Sequence, residues 1–251
     1  METQVEVKPF SYTLGNAGSL KQAVGVLAAL LSDDEAHLVL DEGGISVAAM
    51  DGARIAMIRA RARGSQFESI NIEGPTSVCL DFERLDKALA LVEKDERVEL
   101  SYADKQFVVR TDRKRLTVPT FDVPYQAIPV LNGIRWDAEA TVYAGDFAAA
   151  VKRAAKLNDH VQVRRDQDGV EVHSEDDHDG TYTETIEDQI SGQGEARSAF
   201  IAQYLLLAAN KVPRDVPVRI DLGNDLPIHL GYTLPDPDIE IEVWIAPRVD
   251  D

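Results

Sequence analysis

The chain has 251 residues, and 44% are hydrophobic, enough to bury a substantial core and to exclude wholesale disorder. Its 44 acidic and 26 basic side chains leave a net charge of −18, which excludes a surface that grips nucleic acid by overall basicity; any contact with phosphates needs its cations gathered in one place. The one cysteine, Cys79, rules out an internal disulfide, the start has no apolar signal-like run, and no stretch approaches the roughly 18 apolar residues of a membrane span, so a soluble protein in a reducing interior is expected.

Along the chain, the first predicted element is a helix over Leu20–Leu31, where Leu20, Val24, Leu27 and Leu31 fall on one face. A turn at Gly43-Gly44 then leads into the alternating run Ile45–Ala48, which predicts a strand. A second helix is expected over Asp81–Glu93, with Phe82, Leu85, Leu89 and Val92 sharing a face, followed by strands over Arg97–Tyr102 and Gln106–Arg110. The stretch Val118–Asn132 carries prolines at 119, 124 and 129, which exclude a helix and remove donors from a central strand. Phe121, Val123, Tyr125, Ile128 and Val130 make it too apolar for a solvated tether, so an extended connector lying on the protein surface is expected.

The second half repeats the first. A helix is expected over Phe147–Leu157, then a turn at Asp168-Gly169, the alternating Val170–His173, a fourth helix over Ala199–Lys211, and strands over Val216–Asp221 and Pro227–Leu230. Few helices and many alternating strands in each half predict an α+β layout, with antiparallel sheets and two helices packed on one side of each. The expected division is 1–118, a connector over 119–132, and 133–251.

The cations follow the helices. Arg84, Lys87 and Lys94 form a stripe on the second, Lys152, Arg153 and Lys156 on the third, Lys211 and Arg214 close the fourth, and the first offers Lys21. On one helix such a stripe is a solvated face. Repeated opposite four apolar faces, it suits loose contact with phosphates that carries no sequence information. No phosphate loop, dinucleotide fingerprint, nucleophile elbow or H-E-x-x-H helix is present, so no catalytic residue and no cofactor is expected. The run His173-Ser-Glu-Asp-Asp-His-Asp-Gly180 lacks the closing bidentate glutamate of a calcium loop, reads as an acidic connection between strands, and leaves no metal expected. Cys79 sits in the apolar run Val78-Cys-Leu80 and reads as core.

Three segments resemble the proliferating cell nuclear antigen (PCNA) clamps. Gly44-Ile-Ser-Val-Ala-Ala-Met-Asp51 resembles their "GI..QAMD" strand and turn, Leu80–Leu89 their "L.L..L.K.L" helix, and Val243-Trp-Ile-Ala-Pro-Arg-Val-Asp-Asp251 their C-terminal "YYLAPKIED" signature. The resemblance runs from about Phe10 to the end of the chain. It implies a ring of three subunits with two similar domains each, sheets outside and four helices per subunit lining the inner face around duplex DNA. It also implies a non-enzymatic processivity factor, cytoplasmic or, in a eukaryote, nuclear; a subunit of a heterotrimeric or checkpoint-type clamp is the alternative. The implied partners are DNA polymerase, clamp loader, flap endonuclease and DNA ligase, docking through short glutamine/aromatic motifs. By position, the docking residues are Met50 and Arg54 after the first strand, Ile128 and Pro129 in the connector, Pro227 before the last hairpin, and Trp244, Ala246 and Pro247 in the tail. The inner-face match covers Lys21, Lys87, Lys152, Lys156 and Lys211. The sequence departs from the family where Arg54 replaces a polar residue, often histidine, where Trp244 replaces a tyrosine, and where Gln22 and Ala28 stand for lysines.

Overall fold

Two hairpins show how the repeat is built. Asp41 pairs with Gly44 across one two-residue turn, and Asp166 with Gly169 across the other. In each, the aspartate carboxylate accepts from a backbone N–H inside the turn, Gly43 at 2.7 Å and Asp168 at 2.9 Å. Both glycines sit at positive φ, 124° and 134°, a conformation open to glycine and strained for other residues. At Gly44 there is also no room, since a Cβ would fall 2.1 Å from the carbonyl oxygen of Ala62.

The computed structural model describes residues 7–31, 35–103, 105–123, 128, 131, 133–186 and 191–248. They form two compact units, one drawn from 1–52, 58–129 and 234–241, the other from 53–57, 130–233 and 242–251. Up to the connector the elements run β1 (Phe10–Leu14), α1 (Gly18–Leu31), β2 (Glu35–Asp41), β3 (Gly44–Met50), β4 (Ala56–Arg63), β5 (Ser69–Ile72), β6 (Thr76–Asp81), α2 (Phe82–Leu89), β7 (Val98–Ala103), β8 (Gln106–Arg110), β9 (Arg115–Val118) and β10 (Thr120–Phe121). Unit one holds an antiparallel sheet in the order β5-β1-β7-β8-β9 and a second with the order β10-β6-β2-β3 and β4 beside β3. Alternation sets the facing: in β2, Ala36, Leu38 and Leu40 are buried while Glu35 and Asp41 are exposed. α1 and α2 pack on each other, and Val24 and Leu27 meet Phe82, Leu85 and Leu89 around an apolar cavity of about 50 Å³. Beside them Tyr12 is fully buried and donates to the carbonyl of Asp41 at 2.6 Å; burial, helped by the Asp41 charge, pushes its phenol up to about 12.

Beyond the connector come β11 (Ala138–Tyr143), α3 (Ala144–Ala154), β12 (His160–Asp166), β13 (Gly169–Asp176), β14 (Gly180–Ile186), β15 (Ser191–Gly194), β16 (Ala196–Ile201), α4 (Ala202–Ala209), β17 (Pro217–Leu222), β18 (Ile228–Leu234) and β19 (Ile239–Ile245). Unit two holds the antiparallel sheet β14-β13-β12-β16 and a second with β18-β17-β11-β15 and β19 beside β18. α3 packs on α4, burying Phe147, Val151 and Leu205. The same tie fastens each helix pair: the backbone N–H of Ala17, before α1, donates to Lys94 O at 3.0 Å, and that of Gly145 in α3 to Arg214 O at 3.0 Å. Each bond supplies a partner to an N–H near the start of one helix from the loop behind the other.

Three predicted helices have their boundaries corrected. The second helix ends at Leu89, not Glu93, because the chain tightens: Leu91 N–H donates to Ala88 O and Val92 N–H to Leu89 O, keeping Val92 buried after the helix has stopped. The third starts at Ala144 and ends at Ala154, leaving Lys156 and Leu157 in turns. The fourth starts at Ala202, because Ala199–Ile201 complete β16 and pair with β12. In the connector, Thr120 and Phe121 form an edge strand against Leu80 and Cys79, while 124–127, 129–130 and 132 lie outside the described residues. Among the described residues no helix is long and apolar enough to cross a membrane.

Replacing Gly44 by alanine should destabilise the protein by more than about 1 kcal/mol, since both the backbone angle and the Ala62 carbonyl oppose a Cβ. Urea denaturation of the variant beside the parent measures it.

Candidate functional site

In unit one the cations are partly spoken for. Lys21 on α1 is half-buried, and its ammonium donates to the carbonyl of Val92. It therefore fastens the loop behind α2, which corrects the expectation of an outward cation there. Arg84 pairs with Asp81 at 2.9 Å and lies 5.8 Å from the centroid of the Phe121 ring. Lys87 pairs with Glu83 one turn back at 2.5 Å. Both cations stay more than half exposed, so these pairs hold weakly against competing anions. Lys94 is exposed but lies beyond the helix, not on it.

In unit two, Arg153 points its guanidinium at Glu184, with Nε 2.7 Å from one carboxylate oxygen and a second bond from Nη2. It also donates to the Tyr182 hydroxyl at 3.0 Å. Lys152, the next residue back in the last turn of α3, instead shares an open groove of about 200 Å³ with Arg214, floored by Gly145, Ala148 and Val212. Lys156 and Lys211 are exposed in the turns after α3 and α4. Among the described residues, Lys152, Lys156, Lys211 and Arg214 have no ion-pair partner.

Of the expected docking residues, Met50 ends β3 half-buried and Ile128 is half-buried in unit one, while Pro129 lies outside the described residues. In unit two, Arg54 is exposed at a φ of 59° in the turn before β4. The tail is laid against that turn: Ala246 N–H donates to Ile55 O at 2.8 Å, and Arg248 N–H to Ala199 O at 2.7 Å. Pro247, between them, has no N–H to leave unpaired. Pro227 is half-buried just before β18.

The acidic run after β12 folds on itself. One oxygen of the Asp176 carboxylate accepts from the backbone N–H of His178 at 2.8 Å and of Asp179 at 3.0 Å, and these bonds hold its carboxyl below the usual range. His173 Nδ1 bonds the Thr183 hydroxyl at 2.9 Å. Among the described residues no group of three or more His, Cys, Asp or Glu is placed to hold a metal ion. Cys79 is buried, and burial, with the nearby Glu35 charge, pushes its thiol up to about 11.

Residues 10–128 match the family described as proliferating cell nuclear antigen, N-terminal domain. The DNA polymerase sliding clamp of Natronomonas pharaonis is 25% identical over 241 residues, 93% of this chain and 96% of that one. That of Archaeoglobus fulgidus is 27% identical over 238 residues, covering 92% and 95%. A solved structure of the A. fulgidus PCNA, with the C-terminal region of FEN-1 bound to it, superposes with a TM-score of 0.87 over 96% of this chain and 99% of that one, at 24% identity. Residues 10–128 thus match the PCNA family, and the chain as a whole is similar to PCNA-type sliding clamps. Sliding clamps are non-catalytic processivity factors, and the four helices and antiparallel sheets described above are the PCNA fold.

The sequence reading missed one cluster in unit two. The Trp244 indole is only 8% exposed and stacks on the imidazole of His229, with ring centroids 4.6 Å apart and planes 19° apart. Trp136 also stacks on His229, at 6.3 Å and 18°. Asp221, almost fully buried, holds His229 Nδ1 at 2.7 Å and Arg219 Nε at 2.9 Å. Trp244 is thus a covered wall, not the open apolar area expected. The alternation Ile228-His229-Leu230 puts His229 on the outer face of β18, but nothing in one dimension puts both tryptophans beside it.

Glu184 offers a pH test of the Arg153 arrangement. Hydrogen bonding from Arg153 holds its carboxyl below the ordinary carboxylate range, outweighing partial burial. A carboxyl depressed in the folded state contributes stability above its unfolded value of about 4.3, and loses it as pH falls through the folded value. Glu184→Gln should therefore flatten the fall in urea midpoint between pH about 5 and about 3, relative to the parent.

Proposed function

We propose that three copies of this chain close into a ring around duplex DNA and tether replication and repair enzymes to it, with 1–118 and 133–251 as the repeated domains and 119–132 as the connector. The observation that carries this reading is the twice-built unit, in which one helix pair seals one side of the strands and turns its cations away from the core. Two sheet ends support self-association. Among the described residues β9 pairs only with β8, and β14 only with β13, so each offers a row of unpaired backbone groups. One edge belongs to each unit, and pairing unlike edges is head-to-tail, the kind of contact that generates closed rings.

In this reading Arg84, Lys87, Lys152, Lys156, Lys211 and Arg214 face the DNA. Lys21 and Arg153 keep part of their charge for the protein itself. Enclosure replaces affinity, so a few weak, salt-screened contacts suffice and sliding stays easy. Purified protein should have the mass of three chains and appear in particle images as rings with a duplex-wide hole; a chain that stays monomeric alone supports the heterotrimeric alternative. Changing Lys87, Lys152 and Lys211 together to Glu should impair loading or sliding and so lower polymerase stimulation at low salt, whereas Arg153→Ala should change it least.

Partner docking is assigned to Met50, Arg54, Ile128, Pro129, Pro227, Trp244, Ala246 and Pro247. The A. fulgidus PCNA binds the C-terminal region of FEN-1, and the likeness in fold supports a comparable peptide site here. The partners are DNA polymerase, clamp loader, flap endonuclease and DNA ligase, each through a short glutamine/aromatic motif. Trp244→Ala or Pro247→Ala should weaken binding of such a peptide about tenfold while leaving the oligomer intact, as titration calorimetry and light scattering would measure. Unchanged affinity in both variants removes the assignment.

A further inference from the structure

We propose that His229 is a positioning residue of the docking groove: it fixes the plane of the Trp244 indole, a covered wall of that groove. The proposal rests on placing Trp244 in that groove. Along β19, Glu242 and Trp244 lie on the same side of the strand by alternation. The Glu242 side chain is 47% exposed, whereas Trp244 is 8% exposed. The difference comes from the cover: the His229 ring lies nearly parallel to the indole at 4.6 Å, and Trp136 stacks on the same imidazole.

The imidazole is itself held. Arg219 donates to one oxygen of Asp221 at 2.9 Å, and the other accepts the hydrogen of His229 Nδ1 at 2.7 Å. A carboxylate this deeply buried needs both donors, so the bond to the ring is strongly favoured. At the other edge Nε2 has no hydrogen-bond partner and lies 3.7 Å from the Glu242 carboxylate, so the Asp221 bond fixes the ring. Orientation thus passes from Arg219 to Asp221, from Asp221 to His229, and from His229 to Trp244. An indole fixed before the partner arrives lowers the cost of ordering it on binding.

The test uses the full chain and a synthetic peptide carrying one glutamine and two aromatic anchors. Affinity is read by calorimetry, and the tryptophan environment by near-ultraviolet circular dichroism. His229→Ala should lose the stacked tryptophan signal and weaken peptide binding about tenfold. His229→Phe keeps a flat ring but loses the Asp221 bond, and should bind more tightly than alanine and more weakly than the parent. His229→Leu fills the volume without a flat face and should bind as weakly as alanine. If alanine does not fold, the phenylalanine and leucine variants decide alone. Parent-like affinity in His229→Leu, or phenylalanine as weak as leucine, overturns the proposal. If Trp244→Ala is weak while His229→Leu is parent-like, the positioning role alone is lost; if Trp244→Ala itself binds like the parent, the groove assignment falls with it.

Discussion

Burial of a helix pair against antiparallel strands organises both units. Phe82, Leu85 and Leu89 in one, and Phe147, Val151 and Leu205 in the other, are buried there. The tie from the start of the first helix to the loop behind the second, Ala17 to Lys94 and Gly145 to Arg214, fixes how each pair lies. Once those faces are spent on the core, the remaining helix surface and the turns beyond it are where a cation can stand without desolvation. The exposed positions of Arg84, Lys87, Lys152, Lys156, Lys211 and Arg214 follow from that.

The acidic excess then has a physical sense. A chain at −18 repels bare DNA from most of its surface, and a sparse set of cations attracts it only weakly. Even these are rationed: Arg153 is taken by Glu184 and Tyr182, and Lys21 by the Val92 carbonyl. A protein that held DNA by affinity would be poorly served by this. One that holds it by closure is not, because slow release then depends on the strength of the ring and not on phosphate contacts.

Much of this was legible in one dimension. The apolar period of Leu20, Val24, Leu27 and Leu31, the turns at Gly43-Gly44 and Asp168-Gly169 and the doubled order of elements marked the helices, the hairpins and the repeat, because each depends on neighbours close in sequence. Errors fell where local signals outlast the structure. Val92 keeps helical spacing and is buried, yet the backbone has already tightened into turns; Ala199–Ile201 look helical but complete a strand. The pairing of Arg153 with Glu184, and the meeting of Trp136, His229 and Trp244, join residues far apart in the chain, and no spacing rule reaches them.

Unit one is not a continuous piece of chain. It includes residues 234–241, and Asn16 and Ser19 bond Asp236 and the carbonyl of Pro235 from near its beginning. The second unit likewise borrows 53–57, which Ala246 holds through Ile55. On the ribosome, the first half therefore waits for residues 234–241 to emerge before it can finish. A fragment cut at the connector would lack a strand-end segment of its own body, so the gene cannot be split there into two self-sufficient parts.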